Sequence, residues 1–463
     1  MGALVNRRTA RLLAPLATAA LTLGLTGTAH STTYSVDHAG SADFLTIQEA
    51  VSVCADGDTV VILPGTYTGP GNRDIDPGTA NIHICSQDGR GSVTIDCEEL
   101  ARAFYIHGGQ DTTTVLSGLV ITGGNDEDEG GALRVGESSS VKITNSIIRE
   151  CVADYRGGAI NITGGLLVAR SCSFTGCRSR SGGGIYARDA TCVLYNCSFV
   201  LCKYTYAQQS EGGGVYAEDT ECLIHRCLFK RCIARTGAGA KIIGGQADIR
   251  DSEFFWGYGP DGGGAVYAER CNPVISACVF RRNISLQGCA LMAKESSPLI
   301  IDCTFTADYF EDIQYLIAIF TSAEEQPVIS NCTVTAHRAW RFSRGLIAVA
   351  NASPLIERCV LAFSHVGTAV YDAGGVCNPE ITNCVVYGNA GGDSLFGYYH
   401  DNLFIDPLLC DIDAYDFGVC LNSPCLPAGN PWRARVGAHG AACGDCNSPV
   451  EPMSWGAIKA LYR

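Results

Sequence analysis

The sequence predicts an all-β solenoid in which short strands stack in parallel, coil upon coil. Three observations lead there. The stretches "SCSFTGCRSRSGGGIYA" (Ser171 to Ala187) and "NCSFVLCKYTYAQQSEGGGVYA" (Asn196 to Ala217) repeat one pattern with turns of different length. A small residue recurs at Ser117, Ser146, Cys172, Cys197, Cys227, Ser252, Cys278, Cys303, Cys332, Cys359 and Cys384, every 25 to 30 residues, which is the mark of a repeat architecture. The strand-like runs are broken every few residues by Gly, Asn, Asp or Pro, and in the repeats no helical period is sustained. Glycine is abundant, at 54 of 463 residues, and charged residues are only 17%, which favours a glycine-turn β architecture over a helical one.

The elements follow in chain order. The leader "MGALVNRRTARLLAPLATAALTLGLTGTAHS" has Arg7, Arg8 and Arg11, then an apolar run from Leu12 to Leu25 and small residues for cleavage. Residues 1–31 therefore read as a signal peptide, and an exported chain is expected. No later segment is apolar enough to span a membrane as a helix. Residues 32–70 read as an N-terminal cap. A short helix with the apolar face Phe44, Ile47, Val51 and Cys54 and a Thr46/Glu49 capping box would cover the open end of the coil, and "DGDTVVILPGTY" would be the first strand.

Residues 71–400 hold about eleven rungs, and each column has a physical meaning. Three residues before the recurring small residue stands Ile143, Leu194, Ile224, Ile249 or Ile275. Two residues after it stands Ile148, Phe174, Phe199, Phe229, Phe254, Phe280 or Phe305. Stacked about 4.8 Å apart, equivalent residues lie on one another, so the phenylalanines form one inward pile. Asn145, Asn196, Asp251, Asp302, Asn331 and Asn383 just precede the small residue, and these types tolerate the left-handed backbone of a sharp corner. Five residues after it come Cys151, Cys177, Cys202 and Cys232, then Asn283 and Asn389. Residues 401–446, where the pattern stops, read as a C-terminal cap, and 447–463 as a tail.

This alternation of Phe-x-x-Cys with Phe-x-x-Asn, with Gly-Gly-Ala-Leu (130–133), Gly-Gly-Ala-Ile (157–160) and Gly-Gly-Gly-Ile (182–185), resembles the repeats of the chlamydial polymorphic outer-membrane proteins. More broadly it is similar to the pectate-lyase-like superfamily. The resemblance runs from about Thr33 to Gly444. It implies a right-handed parallel β-helix, a fold that hosts lyases, hydrolases and adhesins. The tail is too short for the translocating barrel of the polymorphic proteins.

The 25 cysteines are read mainly as small column fillers. In-register neighbours sit slightly too far apart for an unstrained disulfide. In the cap, Cys443-Gly-Asp-Cys446 is a C-x-x-C, and Cys420 and Cys425 are the nearest candidates for a second metal-binding pair. Export favours disulfides among Cys410, Cys420, Cys425, Cys443 and Cys446 instead, with no metal.

For function, the net charge of −14 argues against a nucleic-acid partner. Polygalacturonase-type carboxylate motifs are absent, and Ala438-His439-Gly440 is only a weak echo. Asp126, Glu127, Asp128 and Glu129 offer a weak calcium site or, more simply, a solvated acidic loop. The turn before the glycines carries Tyr155, Arg178, Arg180, Lys203, Tyr204, Tyr206, Trp256 and Tyr258, with Tyr309, Phe310 and Trp340 in later rungs. Aromatic faces stack on sugars and guanidinium forks grip carboxylates, so these residues form a candidate glycan strip. The alternative is that they pack on one another. The expected role is an exported, monomeric, cell-surface or extracellular rod that binds carbohydrate or envelope without catalysis. A polysaccharide lyase drawing its base from Arg178, Arg180, Lys203 or Arg231 is the second reading, and a purely structural surface protein the third.

Overall fold

The computed structural model describes residues 31–446, apart from Glu137 and residues 205–209, 309–314, 321–325 and 339–343. The expected leader and tail lie outside the described residues, as do Tyr206, Tyr309, Phe310 and Trp340. The fold is a right-handed parallel β-helix. Among the described residues, three long parallel sheets of 15, 13 and 11 strands run its length, here called sheets 1, 2 and 3. One rung shows the order: Leu166–Arg170 in sheet 1, Ser173–Thr175 in sheet 2, Ile185–Arg188 in sheet 3, then Thr191–Tyr195 back in sheet 1.

The columns form as the spacing requires. Phe174, Phe199, Phe229, Phe254, Phe280 and Phe305 are buried in one pile, with ring centroids 4.7–5.0 Å apart and nearly parallel planes. The corner residues Asn145, Asn196, Asp251, Asp302, Asn331 and Asn383 all have φ between 49° and 56°. The triple glycine has a packing cause. A Cβ on Gly214 would come within 2.7 Å of the Phe229 ring and 2.5 Å of the Gly239 carbonyl oxygen. The first column entry is corrected by register: Ser117 pairs with Thr144, which puts Leu119, not Ser117, over Ser146.

The small residues do more than fill space. The thiols of Cys202 and Cys232 donate to the carbonyl oxygens of Phe174 and Phe199, each at 3.5 Å. Asn283 and Asn389 reach the equivalent carbonyls of Phe254 and Leu361 at 2.9 and 3.0 Å. The 25-residue column behaves alike: Cys197 donates to Ala169, Ser252 to Ile224 and Cys278 to Ile249. Each side chain thus adds a compact donor to a corner carbonyl of the preceding rung, which is why Cys, Ser and Asn interchange there. All these column cysteines are free thiols.

At the N-terminus a strand, Thr33–Val36, precedes the helix and pairs with Thr59–Ile62, so "DGDTVVILPGTY" supplies the second strand and not the first. The helix itself, Ile47–Val51, carries the expected capping box: Glu49 N–H donates to Thr46 Oγ1 and Thr46 N–H to Glu49 Oε2. The C-terminal cap folds back along the outer face of sheet 2. Val419, Cys425 and Val436 pack on Val360, Ala362 and Val385. Gly437 N–H donates to the Arg358 carbonyl, and His439 bonds Thr304 Oγ1 at 2.6 Å. Two disulfides, Cys410–Cys443 and Cys420–Cys446, tie this cap. Cys425, expected among the paired cysteines, is a buried free thiol.

Candidate functional site

The turn between sheets 2 and 3 is itself ordered into two narrow bridge columns. One runs Val152, Arg178, Lys203, Ile233, Tyr258, Ile284, and the other Glu129, Arg156, Ser181, Glu211, Thr236, Gly262. Arg178, Lys203 and Tyr258 thus share a column, as a stacked turn demands. Tyr155 stands against Arg180, whose guanidinium carbon lies 4.9 Å from the ring centroid. Tyr204 follows Lys203 at the start of the longest turn and is half-buried.

Trp256 is not part of this strip. It occupies a left-handed corner, with φ 59°, two residues before Tyr258. There it meets Arg231, Phe255 and Arg282, and Arg282 also bonds Tyr415 of the cap. Arg231, a candidate base, goes with Trp256 to that side. The acidic loop is committed as well: Asp126 bonds Arg102, and Glu129 bonds Arg156 at 2.8 Å and faces Arg134 at 3.6 Å.

Between the two bridge columns the turns leave a groove of about 390 Å³ lined by Arg180, Ser181, Ser210, Glu211, Arg235, Thr236 and Asp261. It crosses four successive rungs. Arg235 is held by Asp261 at 2.5 Å. Thr236 Oγ1 is buried with no hydrogen-bond partner among the described residues. The groove wall therefore carries two guanidinium groups, two carboxylates and several hydroxyls.

Behind the groove lies a feature the turn residues alone do not reveal. The outward column of sheet 3 runs Arg134, Asn161, Tyr186, Tyr216, Lys241, Tyr267. Outward residues of a solenoid are normally wet, yet Asn161, Tyr186, Tyr216, Lys241 and Tyr267 are all buried. They cover one another. The Lys241 ammonium lies 5.7 Å from the Tyr216 ring and 5.1 Å from that of Tyr267, and donates to Glu211 Oε1 at 2.6 Å. Tyr186 donates to Glu218 at 2.7 Å and faces the Arg156 guanidinium at 5.2 Å. Burial pushes the phenols of Tyr186, Tyr216 and Tyr267 above the ordinary tyrosine range, helped at Tyr186 by the bond to Glu218. Asn161 Nδ2 is buried and has no partner among the described residues. Glu211 belongs both to the groove and to this buried stack, and so joins them. The signal in the sequence is the position after Gly-Gly-Gly-(apolar), where Tyr186 and Tyr216 are followed by Lys241.

A family model described as a right-handed β-helix region matches residues 213–406. No curated protein matches the chain. Among solved structures, the PL6 family alginate lyase AlyGC is similar over 77% of this chain, with 10% identity and a TM-score of 0.42. This chain spans about half of that lyase, 52%. The structure of XylC in complex with xylose gives 10% identity and a TM-score of 0.41 over 82% of this chain and 88% of that one. The PL6 family polysaccharide lyase Pedsa3628 from Pseudopedobacter saltans gives 12% and 0.38 over 87% and 95%. At these identities the likeness concerns the fold alone.

Proposed function

We propose that this chain is an exported β-helix that engages an acidic polysaccharide along the flank between sheets 2 and 3. The observation that carries this reading is the groove of about 390 Å³ with Arg180 and Arg235 on its walls. Its size is that of a small-molecule site. Its guanidinium forks suit uronate or sulfate groups, its hydroxyls suit sugar hydroxyls, and Tyr155 beside Arg180 presents a ring face at the rim. An elongated groove that crosses rungs suits a linear polymer better than a compact metabolite. The experiment is binding of polyuronates, sulfated glycans and neutral glycans to wild type and to Arg180→Ala/Arg235→Ala. Binding to acidic chains that weakens at least tenfold in the variant supports the reading. Equal binding by both, or a preference for neutral glycans, overturns it. Export is checked by locating the protein in cell fractions with and without residues 1–31.

A second reading, cleavage by β-elimination, has its own supporting observation: Lys241, Tyr216 and Tyr267 are buried together behind Glu211. Elimination removes the proton beside the uronate carboxylate and protonates the departing glycosidic oxygen, leaving a carbon–carbon double bond. Lys241 would be the base once its ammonium has passed a proton to the Glu211 carboxylate it touches. The phenols of Tyr216 and Tyr267, whose rings flank the Lys241 ammonium, would supply the proton to the departing oxygen. In this reading Lys241, which is buried, takes the place of the candidate bases Arg178, Arg180, Lys203 and Arg231, which are not. Formation of unsaturated uronate by wild type and its loss in Lys241→Ala, with binding retained, is the expected result. Unchanged product formation by Lys241→Ala removes this assignment.

A further inference from the structure

The cap holds four sulfurs in a closer arrangement than two separate disulfides require. Cys443 and Cys446 come from one Cys-x-x-Cys, yet each is bonded to a different strand partner, Cys410 and Cys420. The two bridges touch: Cys443 Sγ lies 3.5 Å from Cys420 Sγ. The ligand atoms of Cys410, Cys420 and Cys443 all lie within 4.8 Å of one another, and Cys446 is bonded to Cys420. In a tetrahedral tetrathiolate with zinc–sulfur bonds of about 2.3 Å, sulfurs sit about 3.8 Å apart. The Cys420 and Cys443 sulfurs, one from each bridge, already stand near that spacing at 3.5 Å, and the Cys410 sulfur lies within 4.8 Å of both.

The surrounding backbone has the matching form. Leu409–Asp411 and Asp416–Cys420 are an antiparallel hairpin that presents Cys410 and Cys420. Ala441–Cys443 lies alongside and leads into the Cys-x-x-Cys turn. Asn422 holds that turn independently of sulfur chemistry: its side chain donates to the Cys446 carbonyl and accepts from the Cys446 N–H. Cys425, a candidate in the sequence for the second pair, sits apart in the apolar contact with sheet 2.

We propose that Cys410, Cys420, Cys443 and Cys446 form a tetrathiolate site for a zinc-class divalent cation in the reduced chain, of which the two disulfides are the oxidised form. The chemistry balances. Two equivalents of a dithiol reductant supply four electrons and four protons to the two bridges, giving four thiols and two oxidised reductant molecules. Binding the cation then releases the four thiol protons to solvent. The cap would thereby keep its fold in either redox environment. This proposal does not depend on the glycan reading.

The test uses the full chain, reduced with dithiol, freed of reductant without oxygen and titrated with cobalt(II). One cobalt per chain is expected, with thiolate charge-transfer and tetrahedral ligand-field absorption that zinc(II) bleaches. Cys443→Ser/Cys446→Ser, which leaves the other cysteines in place, loses both signals while keeping the far-ultraviolet strand spectrum. Absence of these bands in the reduced wild type, or their survival in the variant, overturns the proposal. A second readout does not depend on the variant folding. Zinc protects the four cap cysteines of the reduced wild type from alkylation, and equal labelling with and without zinc also overturns the proposal.

Discussion

Replacing Phe229 by alanine tests the stacking on which the whole fold depends. Phe229 lies between Phe199 and Phe254, with centroids 4.8 and 4.7 Å away. It is almost fully buried, and Gly214, packed against its ring, has no side chain to swing into a void. Truncating a buried phenylalanine costs about 3–5 kcal/mol when the site cannot collapse. Two aromatic neighbours are lost, each contributing about 0.5–1.5 kcal/mol beyond area, so the upper end of that range is expected. Phe305 gives an internal comparison, because it stacks on Phe280 on one side and meets Val334 on the other. Phe305→Ala is expected to cost about 1 kcal/mol less, having one ring contact to lose. Equilibrium urea unfolding followed by circular dichroism measures both. A Phe229→Ala loss below about 1.5 kcal/mol, far under the ordinary cavity cost, refutes the continuous pile. So does a Phe305→Ala loss that exceeds it.

Three further outcomes follow from the same geometry. Asn196, at φ 53°, becomes strained with a β-branched side chain: Asn196→Val is expected to cost about 1–2 kcal/mol, and Asn196→Gly under about 1 kcal/mol, by the same unfolding assay. Burial pushes the thiols of Cys97, Cys271 and Cys289 up to about 12 and that of the half-buried Cys54 to about 11. Brief alkylation of the native protein near neutral pH, read by peptide mass, should therefore mark Cys54 well before Cys97, Cys271 or Cys289, and equal labelling counts against the packed columns. Hydrogen bonds from Ser41, Ser35 and the Ala55 N–H hold the carboxyls of Asp37, Asp43 and Asp58 below the ordinary value of 3.8. A depressed folded pKa stabilises fully above the unfolded value and is lost as pH falls through the folded one. Amide exchange of residues 33–62, compared at matched intrinsic rates, should thus be flat above about pH 5 and accelerate only below the ordinary carboxylate range.

The rungs were legible because in-register stacking turns a linear interval into a vertical neighbour. Once Phe199 and Phe229 occupy the same slot, Ile224, Arg226 and Cys227 follow with no further information. The donor role of the column cysteines was also present in the sequence, in the exchange of Cys232 for Asn283 and of Cys227 for Ser252. Those types share a compact donor and little else. The misplaced Ser117 shows the limit: where Leu119 replaces the small residue, the pattern slides to the nearest serine, and only pairing with Thr144 restores the register.

The site was only partly legible, and the reason is direction. Distance along the chain gives the column of a residue, but not which way a turn residue points. Trp256 and Tyr258 are two apart and both aromatic, so the sequence alone assigns both to one strip. The left-handed backbone at Trp256 turns it toward Arg282, while Tyr258 lies in the bridge column with Ile233 and Ile284. Lys241 was missed for the complementary reason. It lies in a strand, where outward positions are ordinarily solvated and ignored. It is buried only because Tyr216 and Tyr267, one rung to either side, close over it while Glu211 reaches in from the turn. Burial of that kind comes from three rungs acting together and cannot be read from one. A search for chemistry in a solenoid should therefore compare outward columns as columns, looking for the rung where one side chain departs from its neighbours. Here a lysine interrupts a run of tyrosines, and the groove lies beside it.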